Sequence, residues 1–474
     1  MQAKSVRRSR LERTLAKMPT VLLIAAIGLA FLIGGGARSD ILSLIVLRPL
    51  AALIFGFAVW RTHKCGLGHV RPLAVVFGLW LALPLFQLVP LPPAVWQALP
   101  GRALLASSEA LLGHARWRPI TLIPENTWNA FFSLLLPGAV FLLAGLVGRQ
   151  RQDSLMFVML IAGAASAVVA VIQSIGPHNG PFYFYEITNP EDAVGLFSNR
   201  NHQALFLACM FPMLAVLIDE ARRRGGRISH ANLLSYGAIC VGLALFVLIV
   251  IAGSRAGLAF ALIGILAGAL MHSAAGRRGS ERSVKKRALA ILTGVIATIV
   301  ALALFSTRAT TLERFASLSI VEDLRFDVWG TVGEMAVTFF PFGSGLGTFA
   351  ETYYMFEPEA NFSLNYLNHA HNDWLEVTAT GGLPALTLIL AWLVITARRA
   401  WPLLARPLKE DVTGRLLYGR LGLAIIAMLL ASSVVDYPLR VPALASLFIV
   451  ANIWVWSSAE DGVDNRRDDR RRIK

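Results

Sequence analysis

Cysteine, charged residues and enzyme signature motifs are all scarce in this chain. It has three cysteines in 474 residues, too few for a disulfide framework or a cysteine-rich zinc site. It contains no phosphate-binding glycine loop, zinc motif or Ser-His-Asp spacing, so the sequence predicts no cofactor and no metal. Only 15% of the residues are charged, whereas 56% are hydrophobic. That composition excludes an ordinary soluble globular domain.

Long apolar stretches make up most of the chain. A helix needs roughly 20 apolar residues to cross a bilayer, and by that length the sequence predicts twelve spans. We therefore expect an all-α fold, a polytopic integral membrane protein with about 12 transmembrane helices. The predicted spans are centred near Ala26, Leu53, Leu79, Val140, Ala164, Met210, Ala244, Ile263, Ile296, Leu388, Ile426 and Phe448.

The basic residues predict the orientation of these spans. Lys and Arg next to spans stay on the cytoplasmic side, and every loop that would be cytoplasmic with the N-terminus inside is basic. The net charge of +15 is thus explained by topology and anionic lipid, and we predict no nucleic-acid partner. The apolar stretch 21–36 lacks a convincing cleavage site, so we interpret it as the first span.

The predicted organisation has four parts. A basic cytoplasmic N-terminus (1–19) precedes the first five spans with their outer loops (20–195). The remaining spans (196–458) include a large periplasmic loop between the ninth and tenth spans (306–370), with short helices such as 321–340. A basic cytoplasmic tail (459–474) follows. The cytoplasmic loops hold little besides basic residues, so any chemistry is expected on the outer face.

The stretch 368–376 is the densest polar segment at a predicted membrane boundary. His371 is a candidate general base because an imidazole titrates near neutrality; the alternative is an interfacial residue that only forms hydrogen bonds. His369 is two residues away, and on a helix it would face another side. Asp373 and Glu376 are spaced to cap the helix of the tenth span.

Two arginines are candidate anion ligands. Arg255 lies at a short outer turn between the seventh and eighth spans, against the positive-inside tendency. It either snorkels at a helix end or binds phosphate oxygens. Arg325 lies in the large loop and either binds an anion or pairs locally with Asp327 or Glu322. Arg200, Arg308 and Arg314 compete for the same role.

A second polar segment precedes the sixth span. Asn199, Arg200, Asn201 and His202 are predicted to begin that helix, with Asn199 as a cap. The same donors could instead contact sugar hydroxyls.

Three motifs in this order resemble the O-antigen ligase and polymerase family of bacterial envelope glycan enzymes, a polytopic GT-C type group. His371-Asn372, nine residues and Gly382 are similar to the family's His-[Asn/Ser/Gln]-x9-Gly pattern, although Ala385 departs from its last position. Gly253-Ser254-Arg255-Ala256-Gly257 resembles the family's Ser-Arg-Gly/Ala turn. Arg325 and Trp329, followed by the glycine-rich loop 343–349, resemble its Arg-x-x-x-Trp segment. The resemblance covers roughly 195–443.

The resemblance implies an enzyme of the bacterial inner membrane whose active site faces the periplasm. It would move a glycan, without a metal and with inversion, from undecaprenyl diphosphate to a glycan or lipid A core acceptor. His371 would deprotonate the acceptor hydroxyl, Arg255 and Arg325 would hold the donor diphosphate, and His369, Asn372 and 199–202 would support the site or bind glycan.

Several activities share these motifs. Polymerisation of O-antigen or exopolysaccharide, ligation to lipid A core and protein O-glycosylation all fit them. A twelve-span secondary transporter is the main alternative of another class, but transporters usually show matching halves, and no internal repeat is evident here. A non-catalytic assembly scaffold is a third reading.

Overall fold

A computed structural model describes residues 2–113, 116–147, 152–223, 228–275, 320–359, 362, 367–408, 411 and 414–458. Within the helices, the side chains of residues 2–16, 152–153, 228–231, 273–275 and 320–327 lie outside this description.

The described chain is almost entirely α-helical, as predicted. The helices are α1 (Gln2–Ile33), α2 (Leu44–Cys65), α3 (Arg71–Gln87), α4 (Pro93–Trp96), α5 (Ala103–Leu111), α6 (Pro124–Ser133), α7 (Leu135–Leu146), α8 (Gln152–Ile175), α9 (Arg200–Arg223), α10 (Ile228–Ile251), α11 (Arg255–Ala275), α12 (Ile320–Phe339), α13 (Phe349–Tyr353), α14 (Asp373–Ala405), α15 (Arg415–Ser432) and α16 (Pro442–Ser458). Short 3-10 helices occupy Gly68–Val70 and Pro438–Arg440.

Two short strands are present that the all-α expectation did not include. β1 (Pro90–Leu91) and β2 (Arg118–Pro119) pair in antiparallel register, with Pro90 opposite Pro119. They close the loop that contains α4 and α5.

Nine helical segments in the described residues are long and apolar enough to cross a membrane, and two shorter apolar helices, 17–33 and 442–458, accompany them. These eleven coincide with eleven of the predicted spans. The span expected near Ile296 and the first part of the loop 306–370 lie outside the described residues. A multi-pass helical membrane protein is therefore confirmed, whereas the count of twelve and the periplasmic loop stay predictions.

Small residues let α9 and α11 approach closely. A Cβ placed on Gly264 would meet the Ala208 carbonyl oxygen at 2.5 Å, and one on Gly257 would meet the Ala204 side chain at 2.2 Å. Close backbone approach through small residues is typical of helix pairs in membranes. It brings the first turns of the two helices, and with them the segments 198–202 and 253–257, into contact.

Helix α14 is kinked at Gly382, two residues before Pro384. Gly382 has φ 59° and ψ −156°, a conformation essentially confined to glycine. The kink leaves backbone groups unpaired, because Leu383 N–H turns away from Ala379 and Pro384 has no N–H to offer Thr380.

The glycine-rich loop after α12 satisfies those groups. Ser344 N–H donates to the Ala379 carbonyl (3.0 Å), Gly345 N–H donates to the Thr380 carbonyl (2.9 Å), and Leu383 N–H donates to the Pro341 carbonyl (2.8 Å). Irregular backbone beside a membrane span thus has protein partners, as it requires. The loop and the kink fix the direction in which the first turns of α14 project toward the polar cluster described next.

Candidate active site

Helix α14 begins two residues after His371, and Asn372 between them is its N-cap. The Asn372 side chain accepts a hydrogen bond from Leu375 N–H at 3.1 Å. The prediction that Asp373 and Glu376 cap this helix was wrong, because Asn372 occupies the N-cap and both carboxylates face an arginine instead. Glu376 does accept from Ala370 N–H at 2.9 Å. It thereby holds the two-histidine segment against the helix.

His371 has an unusual backbone conformation, and polar groups surround its ring on one side only. Its φ is 48°, in the left-handed region that non-glycine residues rarely adopt and that is enriched at functional sites. Its Nδ1 is buried and lies 3.5 Å from Asp436 Oδ1, whereas 29% of the side-chain surface is exposed. The accessible part of the ring is therefore on the side away from Nδ1. If Nδ1 carries its proton toward Asp436, Nε2 has the lone pair that a base needs.

Asp436 lies between two histidines. Its other oxygen is 3.6 Å from Nε2 of His202, and both the carboxylate and His202 are buried. Burial alone would favour the neutral acid, but the adjacent imidazoles of His202 and His371 outweigh it and hold the pKa of Asp436 well below its usual range. The negative charge of Asp436 would therefore stabilise His371 in its protonated form. The distances exceed those of a strong hydrogen bond, which is common before substrate binds.

Tyr437 forms the centre around which the histidines pack. Its ring centroid is 5.0 Å from that of His202, 4.5 Å from that of His369 and 5.0 Å from that of His371. Burial, with the negative charge of Asp436 as a second cause, raises the pKa of Tyr437 above its ordinary value. The phenol therefore stays neutral and serves as a packing surface for three imidazoles.

A second group of charged side chains, centred on Arg440, contacts His369 through Glu376. The Arg440 guanidinium contacts Asp373 at 2.8 Å and Glu376 at 3.1 Å. Glu376 is also 3.1 Å from Nδ1 of His369, and the Ser433 hydroxyl donates to Asp373 at 3.1 Å. Burial would lower the pKa of Arg440, but Glu376 and Asp373 outweigh it and raise that pKa. His369 is accordingly a partner of this network, consistent with a supporting role.

The segment 199–202 reaches the same cluster from α9. Asn199 accepts from Asn201 N–H at 2.8 Å, which confirms it as the predicted cap, and it also bonds Tyr437. Arg200 pairs with Asp192 at 2.9 Å. Contact of these residues with a glycan stays a prediction.

The turn that carries Arg255 packs on this segment. The Ser254 hydroxyl donates to Asn201 Oδ1 at 2.8 Å and accepts from Gly257 N–H at 3.0 Å, so it caps α11 and ties it to α9. Arg255 is the first residue of α11. Two segments predicted independently from the sequence are therefore joined, and Arg255 stands near the end of α9 that bears His202.

Arg325 is on α12, and its side chain lies outside the described residues. The residue four positions later, Trp329, is described. Its indole N–H donates to the carbonyl of Ala370, between the two histidines, at 3.1 Å. Helix α12 therefore contacts the histidine segment directly, one turn beyond Arg325.

Three residues of the cluster were missed by sequence reasoning: Asp436, Tyr437 and Arg440. They lie in the short connection between α15 and α16, for which the sequence predicts no site residue. A signal was present, since Arg440 opposes the positive-inside tendency in the same way as Arg255. Asp436 carried no such signal, because its role depends on contacts with residues 65 or more positions away.

Comparison with known proteins agrees with the motif resemblance. Residues 240–390 match the family model described as O-antigen ligase, a region that includes Arg255, Arg325, His371 and Gly382. No curated protein matches the chain. The matched region begins after His202 and stops before Asp436 and Arg440. Asp436 nevertheless contacts His371 inside it, and Arg440 contacts the first turn of α14.

Proposed function

We propose that this chain, whose residues 240–390 match the family model described as O-antigen ligase, transfers a glycan from undecaprenyl diphosphate to an acceptor hydroxyl at the periplasmic face of the inner membrane. The family supports the coarser statement, a membrane enzyme of the glycosyl-transferring type with lipid-linked glycan and polysaccharide partners. The observation that carries the proposal is the pairing of His371 with buried, ionised Asp436, while 29% of the His371 side-chain surface is exposed.

In the proposed reaction His371 is the general base. Nε2 takes the proton of the acceptor hydroxyl as that oxygen attacks the anomeric carbon of the donor sugar. The bond from the anomeric carbon to the diphosphate oxygen breaks, and its electron pair leaves with the diphosphate. A single displacement inverts the anomeric centre. Asp436 orients the ring and stabilises the imidazolium that forms, as a carboxylate does for a catalytic histidine.

Arg255 and Arg325 would bind the leaving diphosphate. Negative charge grows on it as the glycosidic bond breaks, and fixed positive charge at that place stabilises the transition state. Guanidinium groups suit phosphate oxygens because they donate two parallel hydrogen bonds. In this proposal the arginines provide that charge and the reaction needs no metal.

Replacement of these residues in cells tests the proposal. His371→Ala and Arg255→Ala should abolish the surface polymer or the glycan-capped lipopolysaccharide, while the protein remains in the membrane at its normal level. His178→Ala and Arg116→Ala, at exposed positions of other loops, are matched controls that should retain the product. Wild-type product in both site variants would refute an enzyme that works through this cluster.

A deletion strain distinguishes polymerase from ligase. On a gel of envelope glycans, a missing polymerase leaves single repeat units without long chains. A missing ligase leaves long chains on the lipid carrier and uncapped lipid A core. Polymerisation and ligation share the residues proposed here, so the site alone supports both. Protein O-glycosylation would appear as loss of glycan from proteins, with both polymers intact.

A further inference from the structure

The kink of α14 has a further partner in the N-terminal half of the chain. Gln87, the last residue of α3, is buried. Its side-chain nitrogen donates to the Thr380 carbonyl at 3.1 Å and to the Phe342 carbonyl at 3.3 Å. Its side-chain oxygen accepts from Leu346 N–H at 2.8 Å. Both ends of the carboxamide are therefore used, and the Leu346 bond fixes which end is the oxygen.

This carboxamide supplies a donor that the helix itself lacks. In a regular helix the Thr380 carbonyl would accept from the N–H of residue 384, but that residue is proline. The side chain of Gln87 is one of two donors that the carbonyl has instead, the other being a backbone N–H of the glycine-rich loop. Phe342 and Leu346 lie on either side of the turn in that loop. One side chain of α3 thus ties the kink to both ends of the turn.

The same half of the chain also packs directly on the loop. A Cβ placed on Gly345 would collide with the Thr121 hydroxyl, and the Thr127 hydroxyl donates to the Leu346 carbonyl at 2.9 Å. Thr121 N–H in turn donates to the backbone carbonyl of Gln87 at 3.0 Å. The loop is therefore confined between this segment and α14, and Gln87 bonds to all three.

The turns of α14 that end at this clamp begin at the histidine segment. The Thr380 hydroxyl donates to the Glu376 carbonyl at 2.7 Å, and the Glu376 carboxylate accepts from Ala370 N–H. A displacement at Thr380 would therefore be passed to the segment that carries His371. Nδ1 of His371 is 3.5 Å from Asp436, so a small tilt of these turns changes that contact.

We infer, on the basis of the proposed function in which His371 is the base, that Gln87 is a positioning residue for the transfer reaction. Its amide fixes the kink, and the first turns of α14 then hold His371 against Asp436. Gln87 lies outside the region 240–390 that the family model matches, so the N-terminal half of the chain contributes to the geometry of the site. Misplacement of a catalytic group by about 1 Å can cost roughly 100-fold in rate.

A double-mutant cycle on the purified full-length protein tests this role. Gln87→Met keeps the length of the side chain and removes its hydrogen bonds. We expect the rate of transfer from an undecaprenyl-diphosphate-linked donor to fall roughly 10- to 100-fold, with the KM for the donor within about twofold of the wild type. In a His371→Ala background the same change should lower the residual rate less than about twofold, because its effect passes through the base.

The matched control is Gln97→Met, at an exposed glutamine in the loop that follows α3. It should transfer glycan at the parent rate in both backgrounds. Thr127→Val is the milder second variant, because it removes one hydrogen bond from the same loop and nearly keeps the shape of the side chain. It should give a smaller decrease that also disappears in the His371→Ala background.

The outcomes separate the role of Gln87 from the proposed function. A wild-type rate for Gln87→Met and Thr127→Val, or an equal decrease in both backgrounds, would overturn the role of Gln87. If His371→Ala loses transfer and the Gln87 and Thr127 variants do not, the proposed function stands and the assignment of Gln87 fails. Absence of transfer by the wild type would instead refute the proposed function, and the role of Gln87 with it.

Discussion

At the scale of single residues, the candidate site is a set of side chains with complementary charges. Asp436 is buried, ionised and shared by His202 and His371, while Arg440 pairs with both carboxylates at the start of α14. These two groups have different expected roles. The first acts on the reacting proton through His371, and the second holds the histidine segment in place.

Asp436→Asn should affect the reaction through His371. The amide keeps the shape of the carboxylate but removes its charge, so the imidazolium formed during transfer loses its stabilisation. We expect a decrease in rate of roughly 100-fold or more, within the range of general-base effects. The amount of donor bound should stay close to that of the wild type, because Asp436 acts on the proton and not on the donor. A loss of donor binding as large as the loss of rate would show that Asp436 acts only on structure.

Arg440→Ala should lower the free energy of unfolding. It leaves Asp373 and Glu376 without a counter-charge, and removal of one partner from a buried ion pair costs about 3–5 kcal/mol. Thermal unfolding of the detergent-solubilised protein measures the loss. The matched control is Arg38→Ala, which breaks a pair with the exposed Asp40 and should cost less than about 1 kcal/mol. Equal losses in the two variants would contradict this account of Arg440.

At the scale of secondary-structure elements, the kink in α14 and the loop 341–345 form one unit. The loop supplies donors and an acceptor to the backbone groups that the kink releases. Helix α12, which precedes the loop, contacts the histidine segment through Trp329. The spacing between His371 and Gly382 therefore has a structural meaning, since it sets the distance from the helix start to the kink.

Gly382→Ala tests this unit. A Cβ at this position would lie 2.2 Å from the Pro341 carbonyl oxygen, and φ 59° is strained for alanine. We expect a destabilisation of at least about 1–3 kcal/mol, with loss of product. Gly333→Ala in α12, where a Cβ meets nothing within 4 Å, should be neutral or slightly stabilising. Differential scanning fluorimetry on both purified variants measures the contrast, and similar melting temperatures would refute it.

At the scale of the whole molecule, the apolar spans, the cap at Asn199 and the kink at Gly382 could be predicted from sequence because each depends on local composition. The pairing of Arg440 with Asp373 and of Asp436 with His371 could not, since it joins segments more than 60 residues apart. Asp373 and Glu376 show the limit of local reasoning. Their spacing predicted a cap, but a distant arginine provides a stronger partner for both.

The orientation of the spans has a direct test in intact cells. Cys65 is exposed at the end of α2, on a loop that the basic residues predict to be cytoplasmic. A membrane-impermeant maleimide should leave it unlabelled until the cells are opened. A cysteine introduced by His178→Cys in a Cys65→Ser background should react in intact cells once the outer membrane is permeabilised. The reverse pattern would invert the topology and place the histidine cluster in the cytoplasm.

The most direct test of the central claim is glycan transfer by the purified protein from an undecaprenyl-diphosphate-linked donor. His371→Ala should lower the rate by roughly 100- to 10,000-fold, the contribution typical of a general base. The amount of donor bound and the melting temperature should remain close to those of the wild type and of His178→Ala. Transfer by His371→Ala at a rate within twofold of the wild type would contradict the assignment of His371 as the base.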